Sequence, residues 1–223
     1  MAAGALAPTA MAGTMTGVDP AHRLARQLAR SVRDERVLAA VAAVPRHRFV
    51  PHAERARAYE NTALPIDCEQ TISQPVVVAR MLELLELAPS DRVLDVGTGS
   101  GYHAALLGLL ASEVWTVERH AQLSAQARSA LAALGHANVT CVVGDGWAGL
   151  PERAPFDAIN VAAATGDEVP RALVAQLAPG GRLVAPVGDE HQFLTRIRRA
   201  PQGLRRERFD PVRFVPLVRD QGS

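Results

Sequence analysis

The stretch that decides the fold is Val93–Tyr102, which reads Val-Leu-Asp-Val-Gly-Thr-Gly-Ser-Gly-Tyr. A short, mostly apolar segment is followed directly by three alternating glycines and then by a helical pattern. Glycine allows the backbone to turn tightly and leaves room for a ligand to approach it. The first turn of the following helix adds unpaired N–H donors. This stretch predicts a strand, a ligand-binding turn and a helix.

The spacing of the glycines discriminates between ligands. A dinucleotide-binding turn has the spacing G-x-G-x-x-G, but Tyr102 stands where the last glycine is needed. A phosphate-binding loop needs a lysine, and the sequence contains none. An acid in the strand followed by G-x-G-x-G fits S-adenosylmethionine, and the alternative is a tight turn without a ligand. The predicted cofactor contacts here are Asp95, Gly97, Thr98, Gly99, Ser100 and Gly101.

Strands and helices alternate along the chain on both sides of this turn. The predicted strands are Val93–Val96, Val114–Val117, Val139–Val143, Ala158–Val161 and Leu183–Val187. The predicted helices between them are Tyr102–Ala111, Ala121–Leu134 and Pro170–Leu177. This alternation predicts an α/β fold with a Rossmann-like, doubly wound, mostly parallel sheet. Two further strands, Phe193–Ile197 and Arg213–Val218, predict an antiparallel hairpin at the sheet edge.

The chain before the sheet predicts a helical elaboration. Asp19 and Pro20 begin a helix over residues 20–30, and apolar spacing predicts a second over residues 33–43. Ser73 is expected to cap a third helix, Pro75–Leu87. We therefore expect a flexible leader over 1–18 and a single domain over 19–223. Its predicted parts are a helical region (19–90), a cofactor-binding core (91–188) and edge strands (189–223).

Two further acids follow predicted strands. Glu118 lies roughly 20 residues past the glycines, where an acid can accept both ribose hydroxyls of a nucleoside. Asp145 follows the third strand and could accept the adenine amino group. Each acid alone could be a solvated loop residue. Because open α/β sheets bind ligands at the carboxyl ends of their strands, the two acids and Asp95 together favour a cofactor site.

Composition excludes several classes of protein. The 223 residues are 48% hydrophobic and 21% charged, as in globular domains, and the formal net charge is +1. A net charge this close to zero gives no overall electrostatic attraction to nucleic acid or to anionic membranes. The two cysteines suit a reducing compartment, and the histidines show no zinc spacing, so no metal is expected. Because residues 1–18 lack the basic start of a secretory signal, we expect a cytoplasmic protein, acting as a monomer.

The segment Glu69–Pro75, Glu-Gln-Thr-Ile-Ser-Gln-Pro, resembles the protein-L-isoaspartate O-methyltransferase family. The resemblance covers roughly residues 19 to 218. It extends to Asp34–Leu38, Val44–Pro51, Asp95–Tyr102, Gly144–Gly146, Ala154–Ile159, Leu177–Leu183 and Val212–Leu217. It implies an active-site serine at Ser73 and cofactor contacts at Gln70, Thr71, Ile72, Ser73, Glu118, Asp145 and Gly146. One departure is Asp67-Cys68-Glu69, where the family has a glycine-containing turn.

The resemblance implies methyl esterification of L-isoaspartyl residues in damaged proteins and peptides. The esters would collapse to succinimide and reopen in part as normal aspartate. An ionised carboxylate needs no general base, so Ser73 would orient it, or serve only as a helix cap, or do both. Two other functions stay open: a tailoring enzyme that methylates a normal aspartate of one cognate peptide, and a regulatory S-adenosylmethionine-binding protein without catalysis.

Overall fold

The computed structural model describes residues 19–219, and the leader predicted over residues 1–18 lies outside them. The chain begins with helices α1 (Pro20–Leu28) and α2 (Glu35–Ala43). Asp19 Oδ1 accepts a hydrogen bond from the Ala21 amide at 2.9 Å, which confirms the predicted helix start. A short antiparallel ribbon, β1 (Leu64–Pro65) and β2 (Thr71–Ile72), then leads into α3 (Pro75–Leu85).

The prediction that Ser73 caps α3 is wrong. Gln74 occupies the N-cap position without a side-chain capping bond. Instead, the Val76 amide donates to Asn61 Oδ1 at 3.0 Å, and the Gln74 side chain donates to the Asn61 carbonyl at 2.9 Å. Asn61 therefore caps the helix from the preceding loop, and it leaves the Ser73 hydroxyl free of that role.

A seven-stranded sheet forms the centre of the fold, in the order β5-β4-β3-β6-β7-β8-β9. Its strands are β3 (Arg92–Val96), β4 (Glu113–Glu118), β5 (Val139–Val143), β6 (Phe156–Val161), β7 (Leu177–Val187), β8 (Gln192–Ala200) and β9 (Gly203–Val212). Helices α4 (Tyr102–Leu110), α5 (Ala121–Ala133) and α6 (Arg171–Ala175) lie between strands. The strands from β5 to β7 pair in parallel, whereas β8 and β9 pair antiparallel. This confirms the predicted α/β, Rossmann-like, doubly wound sheet with its antiparallel C-terminal hairpin.

The predicted strand Arg213–Val218 is wrong, because the hairpin's second strand is β9. At the sheet edge β9 is largely exposed, so it lacks the apolar run that marks a buried strand. The segment after it crosses the carboxyl ends of the parallel strands. There the Ala164 amide donates to the Val215 carbonyl at 2.8 Å, and the Leu217 amide donates to the Ala164 carbonyl at 2.7 Å.

Alternating residues of β3 pack into two apolar layers, one on each face of the sheet. Val93 joins the layer that also holds apolar residues of α1 to α4. Leu94 and Val96 join the opposite layer, with Leu173 of α6. Since β3 pairs with both β4 and β6, the chain reverses direction across the sheet at the end of β3. Ligands bind at such a switch point in open α/β sheets. Within residues 19–219, no helix is long and apolar enough to cross a bilayer.

Candidate active site

A cleft opens at the carboxyl ends of β3 and β4, beneath the ribbon of β1 and β2. We call this the central cleft. Most of the site residues predicted from the sequence line it, and they come from segments far apart in the chain. These residues are Gln70, Thr71, Ile72, Ser73, Gly97, Thr98, Gly99, Ser100, Glu118 and Gly146. The predicted residues Asp95, Gly101 and Asp145 do not line it.

The glycine turn forms the floor of the central cleft. Gly97 and Gly99 have φ angles of 91° and 51°, in the region that favours glycine. A side chain at Gly99 would lie 3.8 Å from Ile66 Cδ1 of the ribbon above it. Gly101 has φ 88°, but a Cβ there would lie 2.9 Å from Ala127 Cβ on α5. Gly101 therefore serves the packing of helix against helix, and it is not part of the cleft wall.

Glu118 connects the glycine turn after β3 to the segment after β4. Its side chain is 6% exposed. Its Oε2 accepts the Gly99 amide at 2.9 Å, and its Oε1 accepts the His120 amide at 3.0 Å. Each carboxylate oxygen can accept a further hydrogen bond. The carboxylate thus fixes the glycine turn and keeps acceptor capacity for the ribose hydroxyls, a contact that stays a prediction.

Asp95 lies below the cleft in a row of polar side chains across three strands. Thr116 on β4 and Asn160 on β6 are its register partners, and both donate to its carboxylate at 2.8 Å. Burial raises the pKa of Asp95 to about 6. Thr116 also bonds to the Thr98 hydroxyl at 2.6 Å. Asp95 therefore supports the glycine turn from beneath.

Asp145 stabilises its own turn. Its Oδ1 accepts the Trp147 amide at 2.9 Å, and the side chain is half-buried. The neighbouring Gly146 lines the cleft, and a Cβ there would lie 2.7 Å from Val96 Cγ1. The structure brings Gly146 to the site and leaves the adenine contact of Asp145 as a prediction.

The departure at Asp67-Cys68-Glu69 forms the turn between β1 and β2. Cys68 and Glu69 adopt the left-handed conformation, with φ 57° and 58°, although neither is glycine. Asp67 Oδ2 accepts hydrogen bonds from Gln122 at 3.1 Å and Gln126 at 2.7 Å, both on α5. The turn is therefore fastened to the helix that follows Glu118, and the ribbon keeps its place over the cleft.

Several residues in or beside the central cleft are not among the predicted site residues. Tyr102 and His103, at the start of α4, line the cleft, and so does the C-terminal segment Val215–Val218. Burial lowers the pKa of His103 to about 4, so its ring is neutral at physiological pH. Arg46, in the Val44–Pro51 segment that carries the family resemblance, donates to the Ser73 carbonyl at 2.9 Å.

The doubly wound sheet, the glycine turn and the acid after β4 define a Rossmann-like methyltransferase. The model of the family Protein-L-isoaspartate(D-aspartate) O-methyltransferase matches residues 21–222, and the chain belongs to this family. It is 52% identical over 207 residues to the protein-L-isoaspartate O-methyltransferase of Koribacter versatilis, covering 92% of this chain and 93% of that protein.

Two solved structures share the fold over 90% of this chain. One is a protein-L-isoaspartate O-methyltransferase with a TM-score of 0.81 and 29% identity, of which the match covers 66%. The other is a Plasmodium falciparum beta-aspartate methyltransferase in complex with S-adenosyl-L-homocysteine. It has a TM-score of 0.79 and 25% identity, and the match covers 99% of it. The fold similarity thus includes a protein solved with the demethylated form of the expected cofactor.

Proposed function

We propose that this chain methylates the free carboxylate of L-isoaspartyl residues in damaged proteins and peptides, with S-adenosylmethionine as the methyl donor. The observation that carries the proposal is the meeting of two segments in one cleft. The Gln70–Ser73 segment, which carries the family resemblance, lies against the glycine turn at the switch point of the sheet. Membership of the family supports the reaction, and the meeting of the two segments supports the central cleft as its site.

The residues of the cleft fit the cofactor. Gly97 and Gly99 leave the floor without side chains, where a nucleoside and an amino acid can approach the backbone. Glu118 has acceptor capacity for two hydroxyls, and Val117 and Leu217 offer apolar surface nearby. When bound, S-adenosylmethionine supplies an electrophilic methyl group on a sulfonium sulfur.

The substrate needs orientation more than activation. A carboxyl group with a pKa near 4 is ionised at neutral pH and attacks as it is. Its oxygen forms the new bond to the methyl carbon while the electron pair of the breaking bond stays on sulfur. Catalysis then rests on holding the reacting atoms in line and on excluding water. We propose that the Ser73 hydroxyl donates to the carboxylate, since it has no hydrogen-bond partner among residues 19–219.

The ester product explains repair. The main-chain nitrogen of the next residue attacks the ester carbonyl and expels methanol, which closes a succinimide. Water reopens this ring to a mixture of isoaspartate and normal aspartate. The enzyme needs no residue for these steps, and the comparisons give no support to the tailoring or non-catalytic alternatives.

We also propose that the enzyme acts as a monomer and in the cytoplasm. Both cysteines, Cys68 and Cys141, are free thiols, as is usual in a reducing compartment. Light scattering on a size-exclusion column should give the mass of one chain. A dimer mass at micromolar concentration would contradict the monomer.

The proposed function is tested with radiolabelled S-adenosylmethionine and two unrelated isoaspartyl peptides, each paired with its aspartyl twin. We expect both isoaspartyl peptides to accept label and both twins to remain unlabelled. Labelling of one aspartyl peptide only would favour the tailoring enzyme. Binding of S-adenosylhomocysteine without any methyl transfer would favour the non-catalytic protein.

A further inference from the structure

Arg46 is a buried cation directly behind the central cleft. It follows Pro45 in a 3₁₀ turn, Arg46–Phe49, and its side chain is 0% exposed. Its Nε donates to the Ala58 carbonyl, and one terminal nitrogen donates to the Ser73 carbonyl, both at 2.9 Å. The guanidinium lies 4.8 Å from the centre of the Tyr102 ring. Arg46 therefore touches two residues that line the cleft.

The charge of Arg46 is not neutralised by the part of the chain that the structure describes. Between residues 19 and 219 the ionisable groups that act on it are Tyr102 and Tyr59, with no carboxylate, and its second terminal nitrogen, Nη1, has no hydrogen-bond partner. The Tyr102 hydroxyl beside it is also buried without a partner. Burial lowers the pKa of Arg46 to about 10 and raises that of Tyr102 to about 12. At neutral pH Arg46 is therefore charged and Tyr102 is protonated.

Such an arrangement is costly unless a ligand completes it. A buried charge without a counter-ion and a buried hydroxyl without a partner both lose their hydration on folding. Ser73 and Tyr102, which Arg46 contacts, both line the central cleft. His103, which also lines it, is neutral, so it adds no second positive charge. The group that would balance this end of the cleft is an anion with hydrogen-bond acceptors.

We propose that Arg46 and Tyr102 form a carboxylate-recognition pair at the Ser73 end of the central cleft. Arg46 supplies the positive potential and holds the Ser73 backbone, and the Tyr102 hydroxyl donates to the carboxylate. This inference rests on the proposed function, which brings two carboxylates to the cleft. One belongs to the isoaspartyl residue and the other to the amino acid end of the cofactor.

The sharpest variant is Tyr102→Phe, because it removes only the hydroxyl. The ring would remain over Arg46 and in edge contact with Phe49, whose ring centre is 5.7 Å away. Since the hydroxyl has no partner to lose, the stability of the free protein should not fall. Arg46→Lys keeps the charge but replaces the two guanidinium nitrogens that bond the carbonyls with a single ammonium nitrogen, whereas Arg46→Met removes the charge.

Two binding measurements distinguish the sources. Calorimetry with S-adenosylhomocysteine and with 5′-methylthioadenosine, which lacks the amino acid carboxylate, tests the cofactor. Calorimetry of an isoaspartyl peptide and its α-carboxamide analogue, with S-adenosylhomocysteine bound, tests the substrate. We expect Tyr102→Phe to weaken the binding of one carboxylate ligand about tenfold, which is the effect of losing one charge-assisted hydrogen bond. The same variant should weaken the binding of the matching neutral analogue by less than about twofold. Arg46→Met should weaken the same ligand more, and Arg46→Lys should lie between.

If only the cofactor ligands lose affinity, the pair recognises the carboxylate of the cofactor. If only the peptide ligands lose affinity, it recognises the carboxylate of the isoaspartyl residue. The proposal is overturned if Tyr102→Phe binds all four ligands like the wild type. It is also overturned if each variant weakens a carboxylate ligand and its neutral analogue equally, as a purely structural role would. A wild-type enzyme that fails to methylate isoaspartyl peptide would contradict the proposed function. The cofactor measurement would still decide whether this pair recognises a carboxylate.

Discussion

Ser73→Ala tests the assignment of the active-site serine, because the structure separates the two roles that the sequence left open. Asn61 caps α3 through the Val76 amide, and Ser73 makes no capping bond. The Ser73 side chain is half-buried on the cleft wall. Removing its hydroxyl therefore deletes no hydrogen bond within residues 19–219. We expect the free energy of unfolding to change by less than about 0.5 kcal/mol, as for substitutions away from stabilising features.

The effect on turnover should be much larger. A hydrogen bond to a charged group contributes roughly 1.5–3 kcal/mol, which corresponds to about ten- to a hundredfold in rate if the bond is made in the transition state. By contrast, Asn61→Ala should cost about 1 kcal/mol of stability, the usual effect of losing a helix cap. Stability and activity should thus respond to different residues.

The assay measures initial rates of methyl transfer to an isoaspartyl peptide, the affinity for S-adenosylhomocysteine, and urea unfolding. Ser129→Ala is the matched control, because Ser129 is exposed on α5 and lies outside the cleft. The control should retain wild-type values throughout. A kcat/KM of Ser73→Ala within about threefold of wild type, at equal stability, would refute the orienting role.

Three further variants test the surroundings of the cleft. Glu118→Ala should weaken the binding of S-adenosylhomocysteine by roughly 1–3 kcal/mol in calorimetry, and it should also lower stability because the half-buried Gly99 amide loses its acceptor; unchanged affinity would remove Glu118 from the site. Burial gives Asp95 a pKa of about 6 in the folded protein, above its ordinary value of 3.8, so its contribution to stability is present below pH 3.8 and is lost as the pH rises through 6. The free energy of unfolding, measured with urea, should be about 2 kcal/mol lower at pH 7 than at pH 4 through this group in the wild type and not in Asp95→Asn; parallel profiles would contradict it. Gly101→Ala should lower the melting temperature, because its Cβ would meet Ala127 Cβ at 2.9 Å with φ at 88°; an unchanged melting temperature would contradict this packing role.

The central parallel strands could be predicted because they are buried on both faces. Residues 93–96 and 158–161 are short, mostly apolar runs, and each predicted run lies within a buried strand of the structure. The glycine turn could be predicted because positive φ angles at Gly97 and Gly99 restrict those positions largely to glycine. These features depend on local chemistry, which a sequence displays directly.

Other features depend on contacts between distant segments. β9 is an exposed edge strand, and its charged residues do not show the apolar pattern that predicts a strand. The apolar residues that follow it line the central cleft instead. The cap of α3 comes from Asn61, 15 residues before the amide that it accepts. Asp95 faces Thr116 and Asn160 only because the sheet places β4 and β6 on either side of β3. No spacing along the chain contains this information.

The most direct test of the central claim follows the substrate itself. An isoaspartyl peptide is incubated with the enzyme and S-adenosylmethionine, and its isoaspartyl, succinimide and aspartyl forms are separated by chromatography over time. We predict that the isoaspartyl form declines while succinimide and then the aspartyl form appear, and that Ser73→Ala slows this conversion about ten- to a hundredfold. An isoaspartyl peptide that stays unchanged in the presence of the wild-type enzyme and the methyl donor would contradict the account.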